Sequence, residues 1–158
     1  MTEQDEQFLR QAIALARAGM ERGDGGPFGC VIVKDGQVVG QGNNRVTSSN
    51  DPTAHAEVVA IRAACAQLNS FQLDGCTVYT SCEPCPMCLG AIYWARPARI
   101  VYAATREDAA DAGFDDSFIY AELPLPPAER RYAMEHGCRE EAQAVFGAWK
   151  AMAGKVGY

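Results

Sequence analysis

Two short stretches of this chain carry side chains that can hold a metal ion and move protons beside it: His55-Ala56-Glu57 and Pro84-Cys85-Pro86-Met87-Cys88. One imidazole and two thiolates give a zinc ion three protein bonds and leave the fourth tetrahedral position for water, which is the ligand count of a hydrolytic site. Zinc held in this way lowers the pKa of its water towards about 7. Glu57 stands two residues after the histidine, close enough to take that water's proton and return it elsewhere. A carboxyl group that shuttles protons needs a pKa near the operating pH, and burial beside apolar groups raises it in that direction. His55 would bind through a neutral ring nitrogen, with its other N–H held by an acceptor.

Each motif also has a plainer explanation. An H-x-E triplet alone is weak, and Glu57 could be an exposed carboxylate favoured at the positive end of a helix. The P-C-x-x-C stretch is more specific, and its pairing with H-x-E, each at an expected helix start, is strong. Cys82 extends the pattern to Cys82-x-x-Cys85-x-x-Cys88, which admits a closed Cys3His zinc site or an iron–sulfur run. Against the latter, Ile92 stands where bacterial ferredoxins place their fourth cysteine. Either alternative describes a binding module without turnover. His136 has no partner pattern and reads as an ordinary strand or surface residue.

The elements that must position these residues follow from periodicity and breakers. Apolar Phe8, Ala12, Leu15, Ala16 and Met20 mark a helix over 3–22 with Thr2 as its cap. Gly23 to Pro27 break it, and strands over 28–34 and 37–42 follow, joined by the tight-turn pair Asp35-Gly36. A polar loop over 43–51 leads to a helix over 53–68, whose Val58, Val59, Ile61 and Ala64 face a core. A strand over 76–81, a helix over 84–95 and a strand over 100–104 come next. Beyond them lie Ala/Asp-rich turns, a short helix over 117–122, prolines at 124, 126 and 127, a fifth strand over 132–138 and a last helix over 140–153. This order predicts the α/β class: a three-layer α/β/α sandwich with a mixed sheet of about five strands, in one domain over 1–158. Helix starts favour negative charge, so Cys85 and Cys88 should ionise readily there, and Pro84 suits a first helical turn.

Composition narrows the function classes. At 158 residues, 48% hydrophobic and 22% charged, the chain has the make-up of a globular domain with a proper core. No apolar run approaches the roughly 20 residues of a membrane span, and the acidic, polar start does not read as a leader peptide. Seven cysteines, with Cys82, Cys85 and Cys88 crowded together, favour thiols and metal ligation over a disulfide framework, so a reducing cytoplasm is expected. The net charge is −6 and no basic block appears, which argues against a nucleic-acid partner and for a small uncharged substrate.

The H-x-E…P-C-x-x-C signature is that of zinc-dependent nucleobase deaminases. Longer stretches add to it: Gly25-Gly26-Pro27-Phe28-Gly29, Asn50-Asp51-Pro52-Thr53-Ala54-His55-Ala56-Glu57, the run from Tyr79 through Cys82-Glu83-Pro84-Cys85 to Arg96, and Ala112-Gly113-Phe114-Asp115-Asp116 through Tyr120. With these, the chain resembles the bacterial guanine deaminases of the cytidine deaminase-like superfamily over essentially its whole length, least specifically towards the C-terminus. The resemblance implies hydrolysis of guanine to xanthine and ammonia, in purine salvage or catabolism, with one zinc ion per chain on His55, Cys85 and Cys88. It implies that Glu57 serves as acid–base, delivering protons to a ring nitrogen and to the departing amine. It assigns Asn44 to hydrogen bonding of the purine, Phe28 and Trp94 to packing on its faces, and Ala56 to the substrate contacts. Asp116 would bond the substrate or the leaving amine and pass a proton. Tyr158 would belong to a terminal segment, within 128–158, that crosses to the partner subunit in a domain-swapped homodimer. The plainer roles are core residues for Phe28 and Trp94, a turn residue for Asn44 and a helix cap for Asp116. Similar motifs occur in plant enzymes acting on guanosine and in tRNA-adenosine deaminases, so a nucleoside or tRNA adenosine is the alternative substrate. Free cytosine or cytidine fits the Gly-Phe-Asp-Asp stretch less well.

Overall fold

A computed structural model describes all 158 residues as two compact units, residues 1–116 and 117–158. The first unit contains α1 (Glu3–Glu21), β1 (Gly29–Lys34), β2 (Gln37–Asn43), α2 (Val46–Ser49), α3 (Ala56–Leu68), β3 (Thr77–Cys82), α4 (Pro86–Ala95), β4 (Arg99–Ala104) and α5 (Arg106–Asp111). Its sheet has the order β2-β1-β3-β4, antiparallel between β1 and both neighbours and parallel between β3 and β4.

Strand alternation sorts the core into two layers. Val31, Val33, Tyr79 and Val101 meet Phe8, Leu9 and Ala12 of α1 on one face. Cys30, Ile32 and Val78 meet Ala56, Ala60 and Ala64 of α3 and Ile92 of α4 on the other. Ile32 and Ile92 are fully buried, and each such side chain contributes about 1.5–3 kcal/mol. The α/β/α sandwich is therefore as expected, in a mixed sheet.

Three local features seat the helices. Thr2 and Asp5 form a reciprocal cap on α1. The same Asp5 carboxylate, 2% exposed, accepts from the Tyr79 hydroxyl (2.8 Å) and from both Arg99 guanidinium nitrogens (2.8 and 2.9 Å), tying α1 to β3 and β4. The β1–β2 hairpin turns on Asp35 (φ 50°) and Gly36 (φ 75°), two left-handed residues that match the strand twist. On β2, a Cβ at Gly42 would stand 2.7 Å from the Ala56 carbonyl oxygen, so only glycine lets the start of α3 lie this close to the sheet.

The metal-binding motifs fall slightly differently from expectation. The helices begin at Ala56 and Pro86, which makes His55 and Cys85 the N-caps, both in extended backbone. Pro86, rather than Pro84, occupies the first helical position. An N-cap side chain lies over the residue three positions on, and this brings Cys85 over Cys88. The loop expected over 43–51 holds the short helix α2, and α5 forms where turns were expected because Thr105 and Asp108 cap it reciprocally.

The second unit contains α6 (Ser117–Glu122), a 3₁₀ turn (Pro127–Glu129) and α7 (Arg139–Ala151). Arg130 holds it together by donating to the carbonyls of Leu123 (3.2 Å) and Leu125 (3.0 Å), and Glu122 accepts from the Arg131 N–H (2.7 Å). The fifth strand expected over 132–138 is not formed. Tyr132, Met134 and His136 alternate as a strand would, but alternation creates a strand only where a neighbour supplies the ladder. These residues are exposed, and Cys138 takes a left-handed conformation (φ 49°) that starts α7.

Candidate active site

The N-terminal ends of α3 and α4 bring three ligand atoms together. His55 Nδ1 lies 3.6 Å from Cys85 Sγ and 3.4 Å from Cys88 Sγ, and all three ligand atoms fall within 4.8 Å of one another. Zn–S bonds of about 2.3 Å and Zn–N bonds of about 2.0–2.1 Å at a tetrahedral angle put nitrogen and sulfur roughly 3.6 Å apart. The residues present therefore fit zinc. Cys88, fully buried, donates to Cys85, and that bond, with one from His55, holds Cys85 down to about 4 against the cost of burial. The same bond and burial push Cys88 far above the usual thiol range, while the bond to Cys85 raises His55. The spacing at which these atoms share protons is also the spacing at which they share a cation, with proton release.

Cys82 takes no part in the cluster. Its thiol donates to the Thr105 carbonyl (3.4 Å), and burial raises it to about 11. The geometry thus favours a three-ligand site over a closed Cys3His set.

Glu57 sits in the first turn of α3, only 6% exposed. Burial raises its carboxyl above the ordinary value, the negative charge of Cys85 adds to this, and a bond from the Cys88 thiol partly opposes it. A buried carboxyl with a raised pKa beside the ligands is suited to a proton shuttle.

Asn44, 5% exposed, is locked by its carbonyl: Oδ1 accepts from the backbone N–H of Gly26 (3.2 Å) and of Val46 (3.1 Å). Two N–H donors on one atom identify it as the oxygen, so the amide turns its N–H2 side elsewhere. Phe28 packs against the core layer under α3 and meets the edge of Phe114 with ring centroids 4.9 Å apart. Asp116 is partly buried; desolvation raises it, and so does the nearby Cys85 charge, which places it in the field of the cluster.

The three other expected site residues differ in their surroundings. Ala56 buries its methyl in the core, leaving only its main chain in the first helical turn, where N–H groups lack helical partners. Trp94 is 63% exposed, on the side of α4 away from its buried face of Cys88, Ile92 and Ala95. Tyr158 ends the second unit, 72% exposed. Phe114, by contrast, stands in the Gly-Phe-Asp-Asp stretch with no signal of its own that marks it as a site residue. Its pairing with Phe28 spans more than eighty residues of chain and leaves no periodic trace in the sequence.

Residues 2–104 match the family model described as the cytidine and deoxycytidylate deaminase zinc-binding region. The chain belongs to this deaminase family. Zinc is the metal of the family's defining region, in agreement with the ligand geometry. Among its relatives, the guanine deaminase of Bacillus subtilis is 58% identical over 97% of this chain and 98% of its own. An X-ray structure of guanine deaminase from Bacillus subtilis superposes with a TM-score of 0.95 at 56% identity, covering 100% of this chain and 99% of that one. A tRNA-specific adenosine deaminase of Aquifex aeolicus is 40% identical over 89% of this chain and 90% of its own.

Proposed function

We infer that this member of the deaminase family hydrolyses guanine to xanthine and ammonia. The full-length likeness to a guanine deaminase, at 58% identity, carries the substrate, and the His55–Cys85–Cys88 cluster with Glu57 beside it carries the chemistry. Zinc bound to these three side chains supplies an activated water. Glu57 takes one proton of the attacking water and passes it to the ring nitrogen next to the amine-bearing carbon; it then takes the remaining proton from the added hydroxyl and delivers it to the departing amine, which leaves as ammonia. Its burial serves this task by raising its affinity for a proton above that of an exposed carboxylate. Asn44, its oxygen already occupied, offers N–H to an acceptor on the purine edge. Phe28 provides an apolar wall for the ring, and Asp116 receives the amine end of the substrate. The main chain of Ala56, with Trp94 and Tyr158, completes the substrate contacts.

The active unit is a homodimer in which the segment within 128–158 is exchanged, so that Tyr158 covers the neighbour's site. Two observations support this reading. Val145, Phe146, Trp149 and Met152 are all exposed on the last helix or just beyond it, and prolines at 124, 126 and 127 allow the segment to leave its own chain. A deaminase pocket must also exclude bulk water once substrate is bound, which calls for a cover. Seven free cysteines suit a reducing cytoplasm.

The tRNA deaminase relative favours a second reading, with an adenosine in RNA as substrate. The net charge of −6 weighs against it, because RNA affinity draws on Lys and Arg contacts to phosphate. Ammonia release from guanine, guanosine, adenine, cytosine, cytidine and an adenosine-bearing tRNA anticodon stem tests the assignment. Guanine should be turned over fastest; faster release from guanosine or from the RNA would overturn it.

A further inference from the structure

Three bonds join the end of β3 to the start of α5, just upstream of the cysteine ligands Cys85 and Cys88. The β3–β4 ladder pairs Cys82 with Ala104 and is extended by the Glu83 N–H donating to the Ala104 carbonyl (2.9 Å). The Cys82 thiol then donates to the Thr105 carbonyl (3.4 Å), and the Glu83 carboxylate accepts from the Arg106 N–H (3.2 Å). On one side of this clasp, Pro84 and Cys85 follow within two residues. On the other lies α5, whose C-terminal turn is closed by the Phe114 N–H donating to the Ala109 carbonyl (2.9 Å). That turn delivers the Phe114 ring to Phe28 at 4.9 Å and leads directly to Asp116.

We propose that Cys82 and Glu83 are positioning residues that lock α5 to the metal-binding loop and so set Phe114 and Asp116 against the zinc site. α5 has six residues and no buried side chain, so burial does little to hold it. Its capping box orders its first turn but does not attach it to the sheet. The clasp does, through one side-chain donor and one side-chain acceptor. It also gives Cys82 a role that needs no metal: the thiol is a buried donor with a carbonyl in reach. A shift of about 1 Å in groups that hold a substrate costs on the order of 10²-fold in rate, so modest loosening of α5 should be visible.

The inference rests on the guanine reading for its kinetic arm and is independent of it for its exchange arm. In the zinc-loaded full chain, Glu83→Ala should lower kcat/KM for guanine about tenfold, with zinc content unchanged, whereas Glu83→Gln, which keeps an acceptor, should stay within about twofold of wild type. Cys82→Ser, which keeps a donor, should hold zinc and activity better than Cys82→Ala. In an Asp116→Asn background Glu83→Ala should cost less than about twofold further, because the geometry it protects has lost its purpose. Amide hydrogen exchange over 106–116 should accelerate at least about fivefold in Glu83→Ala and not in Glu83→Gln. Equal tenfold losses in both backgrounds, or unchanged exchange over 106–116, would overturn the proposal. Failure of the wild type to release ammonia from guanine would instead refute the substrate assignment, and the exchange result would still decide the clasp.

Discussion

The first and last long helices of this protein have similar character and opposite fates. α1 buries Phe8, Leu9, Ala12 and Ala16 against β1, β3 and β4, and its Asp5 is satisfied by three partners beneath the surface. α7 presents an equally apolar stripe, yet Val145 is 69%, Phe146 67% and Trp149 42% exposed, and no residue of the helix is buried. An amphipathic pattern states that a face will be covered; it does not state by what. In the first unit the cover is the chain's own sheet. In the second, the cover is, on our proposal, a neighbouring subunit.

The comparison can be broken most severely inside the first unit. Cys85→Ala should abolish zinc binding and guanine turnover together, because two ligands do not hold the ion in an open tetrahedral site; elemental analysis and an ammonia assay check this. Full zinc occupancy in that variant would remove Cys85 from the ligand set. Glu57→Gln should retain zinc and fold but lose at least about 10²-fold in kcat, the usual worth of acid–base catalysis, as steady-state kinetics on metal-replete protein will tell.

An intermediate effect is expected from the second unit. Removing residues 155–158 should leave zinc content and the thermal stability of the first unit unchanged while reducing guanine turnover by about 10–10²-fold. Sedimentation of the intact protein should show a dimer. An undiminished rate in the truncated chain would take the covering role away from Tyr158.

The smallest effect concerns how α1 is held. The guanidinium of Arg99, with the Thr2 N–H and the Tyr79 hydroxyl, keeps the Asp5 carboxyl well below the usual carboxylate range. A native pKa below the unfolded value means that the folded state binds fewer protons, so this stabilisation is complete above the unfolded value of about 3.9 and is lost as pH falls below it. Asp5→Asn should therefore lower Tm at pH 7, and its deficit relative to wild type should shrink as pH drops under about 4. Thermal melts at both pH values measure it. A deficit independent of pH would show that packing and hydrogen bonding, not charge, hold the helix.

Most of the first unit could be read from residue order because its signals are local. The Asp35-Gly36 turn, the helical stripe from Phe8 to Met20 and the loop-to-helix entries at His55 and Cys85 each depend on neighbours a few residues away. Where the expectation failed, the missing information was non-local. The stretch 132–138 alternates without a partner strand, and α5 forms through a capping box too short to show as periodicity. At the candidate site, the types and spacing of His55, Cys85 and Cys88 were enough to name zinc, and Glu57, two residues after His55, was a candidate for its acid–base partner. Cys82 was ambiguous on the same grounds, since three cysteines at equal spacing look alike until one of them turns to the Thr105 carbonyl.

The sequence by itself determined the chemistry: which side chains can ligate, which can carry a proton, and that each motif opens a helix. Those properties belong to residue type and short spacing, and they survive any long-range arrangement. Only the tertiary structure decided that His55 Nδ1 comes within 3.6 Å of both sulfurs, that Glu57 is buried, and that Phe114 meets Phe28. Those distances join segments as much as 86 residues apart. They are set by how α3 and α4 pack on one sheet face, where the bare Cα of Gly42 lets a helix come close, and no short-range pattern encodes that approach.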